Sequence, residues 1–138
     1  IADIKAAVDI PVIANGDIID TASARTALAQ SGADGVMVGR GAQGRPWSLA
    51  QIAADLNDLD APDIPKDAAL VDMVTGHYDA MLGFYGVTLG NRVARKHLGW
   101  YMDDAGTPDM LRKEVLTTPD PKRVMALLSD ALRCMETA

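Results

Sequence analysis

The 138-residue sequence predicts an α/β segment followed by an all-α segment. Two short apolar runs, Pro11-Val12-Ile13-Ala14 and Gly35-Val36-Met37-Val38-Gly39, begin 24 residues apart. Bounded by glycine or proline, they have the pattern of strands buried on both faces of a parallel sheet. Helical spacing fills the interval between them and returns throughout the second half. Between the halves the run Asn57 to Lys66, NDLDAPDIPK, combines two prolines with acids and amides. That is a linker composition, and it puts the boundary near residue 62.

Taken in order, Ile4 to Val8 reads as the last turns of an amphipathic helix, and the lack of an initiator Met leads to the expectation that more chain precedes Ile1. The first strand ends at Asn15-Gly16. Asp20 and Thr21 are N-cap candidates for a helix carrying Ala24, Ala27 and Leu28 at helical spacing, and Gly32 suits the left-handed C-cap position. The second strand follows, and Arg45-Pro46-Trp47 is expected to open another helix with proline in its first turn. Such a βαβ crossover builds either a Rossmann-like sheet or a (β/α)8 barrel, and pattern alone does not choose between them.

In the second half apolar residues recur at Val71, Val74, Tyr78 and Met81, then at Leu89, Val93 and Trp100, and finally at Val124, Leu127, Leu128, Ala131 and Leu132. Gly86 separates the first two helices. Thr107-Pro108 and Asp120-Pro121 each offer an N-cap followed by proline at the first helical position. No alternating strand pattern occurs here, so a small helical bundle is expected.

Composition narrows the class. A hydrophobic content of 49% is enough for a buried core, and no run approaches the roughly 20 apolar residues of a membrane span. No signal peptide is legible, and a cytoplasmic setting is the expectation. The single cysteine, Cys134, makes neither a CxxC pair nor a zinc site, and reads as a structural thiol in the last helix. No metal is expected. A net charge of −6 argues against a polyanionic partner taken over the whole chain. Its distribution does not: residues 1–70 hold 5 basic and 10 acidic side chains, residues 71–138 hold 8 and 9, and residues 91–102 hold three cations and no acid. RNA contact, if any, belongs there.

Two groups of residues carry chemistry. Asn15-Gly16-Asp17 and Gly39-Arg40-Gly41 both stand at strand C-terminal ends, where parallel α/β folds bind ligands and barrels hold phosphates. Glycines let backbone N–H groups approach an anion, Arg40 adds a charge-assisted bond, and Asn15 can donate an amide. Asp17 would repel a phosphate, so it shapes the loop or caps the next helix. The bland alternative is a pair of tight βα turns. Neither loop is a GxGxxG or P-loop fingerprint. The second group is on a helix, with Arg92 and Lys96 at i, i+4, Arg95 alongside, and Val93, His97, Trp100 and Tyr101 on the neighbouring face. A basic stripe beside aromatics suits RNA, whereas its bland reading is a solvated face over a packed core.

The blocks Val12-Ile13-Ala14-Asn15-Gly16-Asp17-Ile18 and Gly32 through Trp47 resemble the tRNA-dihydrouridine synthase family. Phe84-Tyr85-Gly86, Gly90-Asn91-Arg92, Ala94-Arg95-Lys96-His97 and Trp100-Tyr101 resemble the helical RNA-recognition domain of its bacterial B-type branch. The resemblance covers nearly the whole chain. It implies that residues 1–61 are βα units seven and eight of an FMN-binding (β/α)8 TIM barrel, and residues 62–138 a helical tRNA-recognition domain. It also implies reduction of the C5=C6 bond of tRNA uridines to dihydrouridine, with NADPH as reductant. Asn15, Gly16, Asp17, Gly39 and Arg40 would hold the FMN phosphate end, and Arg92, Arg95, Lys96, His97 and Tyr101 would face tRNA. By the same resemblance the catalytic cysteine and the flavin-contacting lysine fall before residue 1, so the chain alone is expected to be inactive. Two other functions fit parts of the pattern. Another FMN- or phosphate-binding barrel oxidoreductase would share the loops, and an RNA-binding fragment without activity would share the helix.

Overall fold

The structure, a computed structural model, describes residues 1–133. Cys134, assigned above to the last helix, lies outside the described residues. The chain is mostly helical with two parallel strands, and it divides into two compact units, Ile1–Asp63 and Ile64–Ala138. The NDLDAPDIPK run has no helix or strand beyond Leu56 until Asp67.

In the first unit, helix α1 (Ala2–Ala7) leads to β1 (Ile13–Asn15), α2 (Thr21–Ser31), β2 (Gly35–Met37), a short 3-10 turn over Arg40–Ala42 and α3 (Ser48–Leu56). The strands pair in parallel, with Ile13 opposite Gly35, Ala14 opposite Val36 and Asn15 opposite Met37. Local chemistry sets the crossover helix. The Asp20 carboxylate accepts from Ser23 N at 2.7 Å while the Ser23 hydroxyl accepts from Asp20 N at 3.1 Å, a reciprocal cap. Gly32 ends the helix in the left-handed conformation, φ 62°. Ile18, Ala24 and Ile52 form the core, with Val36, Val38 and Leu56 packed on it. Asp34 ties the start of the sheet to α1. It pairs with Lys5 at 2.7 Å and accepts from Val12 N at 2.7 Å, and the Lys5 bond, then the Val12 bond, hold its carboxyl below the usual range.

Two expectations are corrected here. Among the described residues the strands are not buried on both faces: Ala14 is buried, but Ile13 is 56% and Met37 46% exposed. An apolar run therefore marked strand residues without showing which face is covered. The third helix starts at Ser48 with Trp47 as its cap, not at Pro46. Gly44, at φ 76°, and the Ser48 N to Arg45 O bond close a turn there first.

The second unit contains α4 (Asp67–Tyr85), α5 (Val87–Asp104), α6 (Asp109–Thr117) and α7 (Pro121–Ala131). Val71, Val74, Tyr78 and Met81 of α4 meet Ala94, Leu98, Tyr101 and Met102 of α5, and Val124, Leu127, Leu128 and Ala131 of α7 complete the core. Gly90 lets α4 and α5 approach closely, since a Cβ built on it would lie 2.7 Å from Met81 O. One buried polar group crosses this core. Tyr78 OH donates to Asn91 Oδ1 at 2.9 Å, and Asn91 Nδ2 donates to Pro119 O at 3.1 Å, so each polar atom is satisfied. Asp120 caps α7 through Lys122 N, with Pro121 at the first position.

Leu89 and Trp100 were expected on the apolar stripe of α5. Leu89 is exposed and Trp100 only half-buried, because the core side of the helix runs through Asn91, Ala94, Leu98 and Met102 instead. Thr107 does not cap α6. Pro108 holds that position, and the buried Thr107 hydroxyl donates to Ala131 O at 2.7 Å, closing the end of α7.

Candidate functional site

The two loops that follow β1 and β2 make one cleft in the first unit. Asn15, Gly16, Asp17, Gly39 and Arg40, all expected there, line it together with Ile18, Ile19 and Gly41, around a volume of about 350 Å³. Gly16 at φ 148° and Asp17 at φ 47° turn the chain sharply at the end of β1. Aspartate is among the few side chains that tolerate the second of these conformations. Asp17 does not cap α2, since Asp20 does. Instead its carboxylate meets Arg40 NH2 at 3.1 Å across the cleft, in an ion pair with both side chains well exposed.

Gly41 also lines the cleft, although sequence reasoning did not count it among the candidate cofactor-binding residues. A Cβ there would clash with the carbonyl oxygen of Ile18 and lie 2.8 Å from Ile19 Cα. Only glycine lets the second loop rest on the backbone of the first. The signal was present in Gly39-Arg40-Gly41, where the second glycine looked like part of the same turn. Chemically the cleft offers backbone at close range, one exposed guanidinium and one amide side chain. That donor set fits a phosphate or another oxyanion. The Asp17 carboxylate is the one group that opposes such a ligand.

In the second unit Arg92, Arg95 and Lys96 are all exposed on α5. The Lys96 ammonium lies 5.9 Å from the centre of the Trp100 ring, within cation–π range. Half-buried His97 stands edge-on to Trp100 at 5.1 Å and to His77 of α4 at 5.4 Å. Burial pushes its imidazole below the ordinary value, and His77 and Lys96 push the same way, so it is neutral at pH 7. His97 therefore brings a ring to this surface and no charge. Tyr101, expected to face RNA, is corrected. It is only 6% exposed, and its hydroxyl stands 3.1 Å from His77 Nδ1 inside the core. Its place on α5, one turn beyond His97 and towards α4, takes it inward. Burial also raises its phenol pKa.

Among the described residues, no helix is long and apolar enough to cross a membrane, and no three His, Cys, Asp or Glu side chains gather as a metal site.

The family model described as "Dihydrouridine synthase (Dus)" matches residues 1–136. Over its full length the chain is 55% identical to a "Probable tRNA-dihydrouridine synthase" of Rhodobacter capsulatus, covering 42% of that protein. It is 44% identical to the protein of the same name from Rickettsia conorii, over 94% of this chain and 39% of the relative. It is likewise 44% identical to "tRNA-dihydrouridine synthase B" of Xanthomonas axonopodis pv. citri, again over 94% and 39%. The chain thus spans about two fifths of the length of these relatives. With the family match running through both the strand-end cleft and the basic helix, this chain belongs to the dihydrouridine synthase family.

Proposed function

We propose that this chain is the C-terminal part of a flavin-dependent tRNA-dihydrouridine synthase that reduces the C5=C6 bond of tRNA uridines, with NADPH as the source of hydride. In this reading residues 1–61 are the seventh and eighth βα units of an FMN-binding (β/α)8 barrel. Residues 62–138 are the domain that grips tRNA, and a cytoplasmic setting follows from that substrate. The observation that carries the reading is the gathering of Asn15, Gly16, Asp17, Gly39 and Arg40 around one cleft at the ends of two parallel strands.

In that cleft Gly16 and Gly39 present backbone to the FMN phosphate, and Arg40 gives it a charge-assisted bond. The guanidinium would turn from Asp17 to the phosphate. An exposed ion pair yields at small cost, because water already screens both partners. Asn15 adds an amide donor. When bound, the flavin supplies the hydride chemistry; the residues of this chain fix where its phosphate end sits. On α5, Arg92, Arg95 and Lys96 meet tRNA phosphates, and His97 contributes an uncharged ring.

The test uses the full-length, FMN-loaded synthase. Arg40→Ala removes a bond worth about 1.5–3 kcal/mol, so FMN should bind about tenfold or more weakly in a fluorescence titration. Unchanged FMN affinity would overturn the phosphate assignment.

A further inference from the structure

The end of α4 carries an exposed aromatic pair that neither the cleft nor the basic helix uses. Phe84 is 82% and Tyr85 45% exposed, and their rings meet nearly at right angles, 82°, with centres 4.8 Å apart. The exposure has a local cause. The α4 stripe through Val74, Tyr78 and Met81 reaches Tyr85 just as Gly86, at φ 75°, turns the chain into α5, and among the described residues the last turn is left exposed. Exposing so much of a Phe ring sacrifices the burial that would stabilise the fold, and an exposed aromatic surface commonly marks a binding site.

The charge along this segment of the chain indicates the occupant. From Ala80 to Met102 there is no acidic residue, while Arg92, Arg95 and Lys96 all fall within this stretch of a chain whose net charge is −6. The aromatic corner and the cations thus belong to one continuous acid-free segment, which favours a polyanion over an acidic or neutral protein surface. A polyanion that also uses a bare aromatic face is a nucleic acid with unpaired bases, since every base offers a π surface for stacking.

We infer that Phe84 and Tyr85 form a stacking platform for an unpaired base of the RNA, separate from the phosphate contacts of α5. This rests on the RNA-binding reading above and adds a second kind of contact to it. Stacking is not ionic, so its loss weakens binding without changing the dependence on salt. Loss of a phosphate contact lowers the slope of log K against log salt by about 0.7 to 0.9.

The experiment compares Phe84→Ala, Phe84→Leu, Phe84→Trp and Arg92→Ala/Lys96→Ala in the full-length, FMN-loaded synthase. The probes are an unmodified tRNA transcript and a fully paired RNA duplex, each titrated over a range of salt. Circular dichroism confirms folding, which an exposed side chain should leave intact. The expected result is that Phe84→Ala weakens tRNA binding about tenfold at an unchanged salt slope and leaves duplex binding as it was. Phe84→Leu, apolar but without a π face, should be as weak as alanine. Phe84→Trp should bind normally and lose fluorescence when tRNA is added. If leucine restores binding, the surface is an apolar contact and the stacking inference fails. If Phe84→Ala instead lowers the unfolding temperature of the unliganded synthase and leaves tRNA affinity unchanged, the platform packs on protein, and the inference fails again. In both cases a reduced salt slope in Arg92→Ala/Lys96→Ala would leave the RNA-binding reading standing. An unchanged slope and affinity there would sink that reading itself.

Discussion

Replacing Gly90 with alanine should destabilise the helical unit, although alanine is the better helix former. The added Cβ would stand 2.7 Å from Met81 O and 2.9 Å from Leu82 Cα. Carbon atoms rest at about 3.5–4.0 Å from their neighbours, so α4 and α5 must part by about 1 Å. The obstructing atoms are backbone and have no rotamer to swing into. Overpacking costs about 1–3 kcal/mol, and the absence of any side-chain escape puts this case at the upper end. Helix propensity returns about 1 kcal/mol, leaving a net loss of about 2 kcal/mol. For a unit of this size that lowers Tm by roughly 10 °C. Gly76→Ala on α4 is the matched control, because a Cβ there meets nothing within 4 Å. It should gain about 0.5–1 kcal/mol through propensity and chain entropy, raising Tm by a few degrees. Thermal unfolding followed by circular dichroism at 222 nm, with urea titration for the free energies, measures both. A shift of the same sign for the two variants would refute the close-approach argument.

Two further outcomes follow from the same unit. Asn91→Ala leaves the Tyr78 hydroxyl and the Pro119 carbonyl without their partner, and should cost about 2 kcal/mol or more in urea unfolding; adding Tyr78→Phe should then cost little more, because the bond is already lost. His97 has a lowered pKa in the folded chain, so between that value and about 6.5 the unfolded chain binds more protons. Stability should therefore be fully present above about pH 6.5 and decline on acidification below it, and His97→Gln should flatten this decline in urea midpoints measured from pH 5 to 8.

Signals that act within a few residues were legible. Asp20, Gly32, and Asp120 followed by Pro121 each satisfy backbone groups of their own helix, so local spacing identified them, although the reciprocal bond from Ser23 was not foreseen. The loop residues Asn15, Gly16, Asp17, Gly39 and Arg40 were found for a similar reason, since strand ends and glycines are local marks. What was missed depended on distant partners. Thr107 looked like a cap, but its hydroxyl is used by Ala131, 24 residues away. Leu89 seemed a core residue, yet Asn91 takes the core side instead, where Gly90 brings α4 close enough for Tyr78 to donate to the Asn91 side-chain carbonyl. Tyr101 was grouped with the RNA-facing residues by its spacing from His97, and only the position of His77 on α4 reveals that it points inward. Arg40 lines the cleft, and its pairing with Asp17 depends on a contact across 23 positions.

The rest of Gly41 on the backbone of Ile18 also limits how this cleft can vary. Loops after strands are ordinarily where a fold accepts added length and new sequence. Here the two loops share one rim, so neither can lengthen near the contact without lifting the other. The side chain at Ile19 can change the lining while the rim keeps its outline. Diversity at this end of the strands is therefore channelled into side-chain identity, and the distance between the two turns stays constant, like the jaws of a clamp set once by a single missing methyl group.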